Sequence, residues 1–354
     1  MRMRRWILLL AIGALGCGGG GSGPRGAAAL ETYIGDVGGA VFRLPVNFAT
    51  AIRFAPDGRL FFTELTTGKV QVFENGAITT FATLPVSTNG EQGLVGMAFD
   101  PDFSSNGWVY FYHTAPGPER GRLVRFTDVA GVGMNETVIL DNMPATVVHN
   151  GGRIAFGPDG KLYLSTGDNT DAANSQNSAV VSGKILRYNS DGSVPSDNPI
   201  PGNPVFALGI RNTFGLAWHP SLGVLYGSDN GPTCDDKINR IVAGGNYGWR
   251  PSYPCGDTDP GYSAPLVRIN PVIAPTGIAF YGGSVFPEWE GSLLVTSYND
   301  KALRRYALNG GGTAVTGSEV VVSGVSGNLI DVTVGPDGNV YLAGTDAIYR
   351  IVRR

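Results

Sequence analysis

His149 and Asp168 flank a Gly157-Pro158-Asp159-Gly160 turn in the stretch HNGGRIAFGPDGKLYLSTGD. Read as a β-hairpin centred between Pro158 and Asp159, this stretch sets the imidazole across from the carboxylate at the open end. Facing residues of an antiparallel pair have Cβ atoms about 5 Å apart, close enough for an Asp–His hydrogen bond. An imidazole held by a carboxylate is a general base, because the carboxylate fixes the tautomer and raises basicity. The same construction on GIRNTFGLAWHPSLGVLYGSDNGP, with its turn centred between Ser221 and Leu222, makes Asn212 face Gly231 and Arg211 face Pro232, beside Asn230. Glu91 and Gln92 lie the same short distance before another apolar strand. A base, a guanidinium, amides, a carboxylate and bare Gly-Pro carbonyls therefore converge on one side, a set suited to an oxyanionic ligand. His113, inside a strand, and His219, in a turn, read as structural. The acids at Asp168 to Asp171 and Asp257 to Asp259 lack the spacing of an EF-hand. Arg304-Arg305 reads as a solvated strand face.

The elements that position these residues come from a repeat. An apolar-x-apolar segment, a Pro/Asp/Gly turn and a second apolar run recur six times: IRFAPDGRLFFTE, GMAFDPDFSSNGWVYFYHT, RIAFGPDGKLYLSTGD, GLAWHPSLGVLYGSD, GIAFYGGSVFPEWEGSLLVTSY and VTVGPDGNVYLAGT. Each copy is two strands and a tight turn, in which Pro presets φ and Asp or Gly accepts the next position. Most copies are followed by a further strand cue, as in GKVQVFENG and GKILRYNSDG. Units of about four strands at periods of roughly 40 to 60 residues describe propeller blades. The expected fold is all-β, a six-bladed β-propeller of four-stranded antiparallel blades, forming one domain over residues 33–354. A segment near Tyr33 to Leu44 is expected to add a strand to the last blade and close the ring.

The N-terminus reads as an address. Arg2, Arg4 and Arg5 precede an apolar run from Trp6 to Leu15, too short to span a bilayer, and residues 1–16 are read as a signal peptide. Ala14-Leu15-Gly16-Cys17 is similar to a bacterial lipoprotein cleavage site with Cys17 as the acylated residue, and ordinary cleavage between residues 16 and 27 is the alternative. Residues 17–32 then form a Gly/Ala-rich tether. The expected location is exported, periplasmic or cell-surface, with the membrane touched only through that lipid. Export implies an oxidising compartment. The two remaining cysteines, Cys234 and Cys255, are expected to form a disulfide closing a loop of about 20 residues, worth roughly 3 kcal/mol.

Composition excludes several classes. The 354 residues carry 26 Lys+Arg against 29 Asp+Glu, and 42% are hydrophobic, enough apolar mass for a packed core. The 53 Gly and 23 Pro show no collagen period. A pI of 5.7 argues against a nucleic-acid partner.

The segments EQGLVGMAFDPDFSSNGWVYFY, HNGGRIAFGPDGKLYLSTGD, GKILRYNSDGSVPSDNP, GIRNTFGLAWHP, DNGPTCDDKINRIVAGGNYGW and FPEWEGSLLVTSY, in this order, resemble the glucose/sorbosone dehydrogenase family. These are soluble quinoproteins that use pyrroloquinoline quinone (PQQ) and Ca²⁺ on a six-bladed propeller. The resemblance implies an aldose oxidised at its C1 hydroxyl to a lactone, with an external electron acceptor. It implies that His149, supported by Asp168, takes the hydroxyl proton. Arg211 and Asn212 would bind the quinone, with Glu91, Gln92 and Asn230 beside them. The Gly231 and Pro232 carbonyls would hold Ca²⁺. The chain departs from the glucose-oxidising members at Glu91, where they carry Gln, and at Lys237, where an acidic ligand of a second Ca²⁺ is expected. Asn299 and Asp300 stand where those members present basic residues, with Lys301 as a displaced substitute. Two other readings stay open: a non-catalytic propeller of the same family that binds a glycan or protein partner, and a Ca²⁺-dependent propeller lactonase.

Overall fold

The computed structural model describes residues 28–32, 34–37, 40–43 and 46–353. The expected leader over residues 1–16, Cys17 and the start of the tether lie outside the described residues. Six four-stranded antiparallel sheets form the blades of a β-propeller. Their inner strands are Ala49–Phe54, Leu94–Phe99, Ile154–Phe156, Thr213–Trp218, Pro275–Phe280 and Leu329–Val334, for blades 1 to 6. Each inner strand lies against the next around the ring, and the sixth against the first.

The strand that completes blade 6 is Ala28–Thr32, which pairs antiparallel with Ile348–Arg353 from Ala28↔Arg353 to Thr32↔Tyr349. Ring closure thus uses residues within the stretch expected to be tether. The segment expected to close the ring instead forms a separate hairpin, Ile34–Val37 with Ala40–Arg43.

The recurring turn phrase explains why the blades repeat. In blades 1, 3 and 6 the Asp of Pro-Asp-Gly accepts a hydrogen bond at 3.1 Å from the backbone N–H two residues on: Asp57 from Arg59, Asp159 from Lys161, Asp337 from Asn339. The following glycine takes a φ of 91°, 70° or 76°, a conformation that costs glycine little. The turn therefore encodes its own geometry, and the apolar runs on either side pair as inner and second strands. Between blades the runs pack face to face. Phe61, Phe81, Phe111 and Phe126 fill the space between blades 1 and 2, and Tyr281, Phe286 and Trp289 that between blades 5 and 6.

The channel is braced by buried charge. Arg153, next to the inner strand of blade 3, donates from Nη1 to the Thr50 carbonyl at 2.5 Å and from Nη2 to the Ile330 carbonyl at 3.2 Å. It thereby reaches blades 1 and 6. Asp331 lies 3.7 Å away, accepts from Ile52 N at 3.0 Å and pairs with Arg53 at 2.6 Å. Removing one partner of a buried ion pair leaves the others uncompensated, a loss of about 3–5 kcal/mol. Asp331→Ala is expected to lower the unfolding free energy by about that amount in denaturant titrations. A loss below about 1 kcal/mol would show that the channel brace does not depend on this carboxylate.

Candidate active site

The candidate side chains sit at one mouth of the channel, where inner strands begin and second strands end. Asp168 follows the second strand of blade 3, Leu162–Thr166, and His149 precedes its three-residue inner strand. The hairpin runs one residue off the register read from sequence. Ala155 pairs with Tyr163, and the residue whose N–H donates to the His149 carbonyl, at 3.3 Å, is Asn169. The imidazole still meets Asp168, because His149 lies in the segment before the strand with a left-handed φ of 60°. Its side chain is thereby freed from the alternation a strand imposes. His149 Nδ1 lies 2.8 Å from Asp168 Oδ1. The blade 4 hairpin keeps its expected register from Gly215↔Ser228 onward and shifts by one at Thr213↔Asp229. This bulge puts Asn212 opposite Asn230, whose N–H donates to the Asn212 carbonyl at 3.2 Å.

The hydrogen-bond partners fix the proton on His149. Arg211 Nη2 lies 3.0 Å from Nε2, and a guanidinium can only donate. Nε2 is therefore the acceptor, and Nδ1 carries the proton toward Asp168. In that tautomer the Nε2 lone pair faces Arg211. The second Asp168 oxygen, Oδ2, accepts from the Trp249 indole N–H at 2.7 Å, and Oδ1 also accepts from Thr170 N at 2.9 Å. Burial acts to raise the Asp168 carboxyl, but the hydrogen bonds from His149 and Trp249 outweigh it and hold it below the usual carboxylate range.

Other acids hold the backbones that carry the site. Glu91 Oε2 accepts from the His149 N–H at 2.7 Å and from Asn212 Nδ2 at 3.2 Å. Buried Asp229 accepts from the N–H groups of Arg211 and Asn212, the latter at 2.7 Å. Asp236 accepts from Gly231, Ile273 and Ala274 N–H at 2.6–2.8 Å. Burial pushes the Asp229 and Asp236 carboxyls up, against these bonds. Gly231 is required by close approach, since a Cβ there would lie 2.0 Å from the Cys234 carbonyl oxygen. Cys234 and Cys255 form the expected disulfide, with Cα atoms 6.0 Å apart.

His149, Arg211, Asn212, Glu91, Asn230, Gly231 and Pro232 line one cavity of about 470 Å³, with Phe214 and Tyr298 as aromatic walls. Asp168 stands behind His149. Gln92 does not line this cavity. It is buried, and its amide donates to Glu119 and to the Thr146 carbonyl. The Asn230 side-chain Nδ2 donates to the Asn212 and Pro275 carbonyls, while the Asn230 backbone carbonyl accepts from Arg211 Nη1 at 3.1 Å. Neither the Gly231 nor the Pro232 carbonyl receives a hydrogen bond from the described residues. Those oxygens are hard donors suited to a cation such as Ca²⁺. No group of three or more His, Cys, Asp or Glu converges as a metal site among the described residues, so a cation here would rest on backbone oxygens and on its ligand. Arg211, Phe214 and Tyr298 line the same cavity, and a guanidinium beside aromatic faces is chemistry suited to a flat anionic ligand. Trp249, Asp229 and Asp236 escaped sequence reasoning. The two acids show only as neighbours of nominated residues, and Trp249 lies in a loop beyond the strands where hairpin register reaches.

A family model described as glucose/sorbosone dehydrogenase matches residues 46–353. The chain belongs to that family. Quinoprotein glucose dehydrogenase B of Acinetobacter calcoaceticus is 33% identical over 255 residues, 62% of this chain and 53% of that protein. The chain thus spans about half the length of that relative. Aldose sugar dehydrogenase YliI of Escherichia coli is 27% identical over 320 residues, covering 82% and 85%. The structure of the PQQ-bound form of aldose sugar dehydrogenase from Streptomyces coelicolor superposes with a TM-score of 0.79 at 29% identity, covering 94% of this chain and all of that one.

Lys301, offered as a displaced substitute for basic residues of the glucose-oxidising members, is not among the described residues lining the cavity. Its Nζ donates to the Ser326 carbonyl at 2.9 Å. Asp300 pairs with Arg304, and Arg305 with Glu319, so the two arginines are ion-paired rather than merely solvated. Asn299 lines the cavity. Lys237 is buried, with Nζ 4.4 Å from the Tyr253 ring centroid. Because the Asp168 carboxyl is lowered on folding, its contribution to stability is complete above the unfolded value of about 4 and is lost as pH falls further. Unfolding midpoints of the wild type are expected to drop more steeply below about pH 4 than those of Asp168→Asn, and parallel curves would refute the carboxylate's role.

Proposed function

We propose that this protein is a PQQ- and Ca²⁺-dependent dehydrogenase that oxidises the C1 hydroxyl of aldose sugars to lactones and passes electrons to an external acceptor. We further propose that it works outside the cytoplasm, anchored through lipid at Cys17. The observation that carries the reaction is an imidazole held at Nδ1 by Asp168 and at Nε2 by Arg211, sharing one cavity with that arginine and two uncommitted backbone carbonyls. The names of relatives in the family support the redox class and the quinone.

Arg211 and the aromatic walls would hold the quinone, and the Gly231 and Pro232 carbonyls the cation. The chemistry this pair supplies when bound is acceptance of the C1 hydride, with the cation as Lewis acid. His149 does the rest through one atom. Its Nε2 takes the hydroxyl proton as the C1–H bond breaks and the C=O bond forms. Asp168 stabilises the imidazolium that results. Arg211 must first leave Nε2, and an anionic ligand gives it reason to. A charge-assisted pair with a carboxylate is stronger than one bond to a neutral imidazole. Glu91 keeps the His149 backbone fixed meanwhile, so that the ring does not follow the departing arginine.

The test mixes purified protein with PQQ, Ca²⁺, a panel of aldoses and a dye acceptor. Dye reduction is expected, and His149→Ala should lose about 10²–10⁴ of the rate while keeping the wild-type circular dichroism spectrum. Absence of dye reduction, together with no absorbance change on adding the quinone, would instead favour a binding module.

A further inference from the structure

We propose that Trp249 is a positioning residue of this site, one that aims the His149–Asp168 pair and carries Arg211 on its ring. The inference rests on the proposed dehydrogenase reading for its kinetic part. Asp168 is the only link between His149 Nδ1 and the scaffold recorded among the described residues, so whatever orients the carboxylate orients the base. Its two oxygens are divided. Oδ1 faces His149 and Thr170 N, and Oδ2 takes the Trp249 indole N–H at 2.7 Å. An indole N–H donates, never accepts and does not titrate in the working pH range. It therefore requires an acceptor oxygen at Oδ2 and fixes the carboxylate plane. That in turn keeps the Nδ1 proton of His149 directed at Oδ1.

The same ring lies under Arg211, with the guanidinium carbon 5.5 Å from the ring centroid. One side chain thus touches both the partner of the base and the one cation among the described residues lining the cavity. Trp249 does not line the cavity itself, so it acts through these neighbours. Its backbone is fixed independently. The N–H donates to the Gly209 carbonyl at 3.0 Å, and the carbonyl accepts from Gln176 Nε2 at 2.8 Å. The disulfide Cys234–Cys255 closes the loop that contains residue 249. A half-buried tryptophan on a stapled loop, with its one polar atom on a carboxylate at the site, has the features of a device for orientation rather than for core volume.

The test is Trp249→Phe, which keeps an aromatic ring and removes the donor. In the protein without quinone, the low-field proton resonance of His149 Nδ1–H is followed by NMR with nitrogen-labelled histidine. It is expected to shift and to exchange faster with solvent than in the wild type. Loaded with PQQ and Ca²⁺, the variant should lose about 10- to 100-fold in kcat, with the sugar KM within about threefold of wild type. Incorporation of benzothienylalanine, isosteric but without the N–H, should reproduce both effects, and 5-fluorotryptophan should restore both. An unmoved His149 resonance, with or without loss of stability, would overturn the proposal. If the wild type reduces no dye at all, the dehydrogenase reading fails, and the resonance still decides the role of Trp249.

Discussion

An arginine cannot accept a hydrogen bond, and the site is organised around that fact. With Arg211 Nη2 at 3.0 Å from Nε2, His149 must offer its lone pair there and its proton to Asp168. Tautomer and orientation of the imidazole both follow from the two contacts. On the proposed reading the imidazole is the base, and the atom that would take the proton is covered by a group that an anionic ligand would compete for. Arrival of the ligand and exposure of the base would then be one event, which on that reading would limit proton transfer by an unloaded site.

The scaffold supplies this geometry by a repeated device. In each case a carboxylate binds backbone N–H groups of the segment that bears the functional residue. Glu91 holds His149, Asp229 holds Arg211 and Asn212, and Asp236 holds Gly231. Backbone amides are donors fixed in direction, so an acceptor-only partner positions them without ambiguity. The cost is negative charge in poor solvent, visible in the upward push on Asp229 and Asp236. Buried Lys237, one strand over and paired in register with Asp229, offsets part of it. A lysine at that position is thus intelligible as a charge partner of the framework.

Much of this was legible in the residues, and the failures have physical reasons. The Pro-Asp-Gly turns of blades 1, 3 and 6 are local, with each Asp bonding two residues on, and together with the apolar runs that flank the turn in all six copies they made the repeat readable. Hairpin register was legible only to within one residue, since bulges and the left-handed His149 depend on packing at the channel mouth. The His149–Asp168 contact survived the slip because a side chain spans more than one register step. Gln92 and Lys301 were placed correctly along the chain but turn to other partners, and sequence distance does not report side-chain direction. Ring closure by Ala28–Thr32 is a pairing between chain ends, and the short Gly- and Ala-rich approach to it carries no strong strand pattern. Trp249 meets Asp168 across two blades, a distance in sequence that no hairpin can encode.

Glu91 bears on how the ligand and the cation must load. Placed beside an anionic cofactor, a carboxylate repels it unless its charge is already engaged. Here Oε2 is engaged by two donors of the chain itself, so the cost is partly met before any ligand arrives. It is not met in full, because the described cavity lining brings Glu91 and Asp236 against Arg211 as its one cation. On the proposed reading, an anionic quinone entering alone deepens the negative excess, which a divalent cation relieves, and a cation entering alone lacks the ligand oxygens that the quinone would add to the Gly231 and Pro232 carbonyls. Each removes the other's obstacle. Coupling of this kind is reciprocal by thermodynamic necessity, so whatever factor Ca²⁺ contributes to quinone affinity the quinone returns to Ca²⁺ affinity. With Arg211 as the one cation among the described lining residues, the site would on that reading depend on the coupling more heavily than a site with several cations.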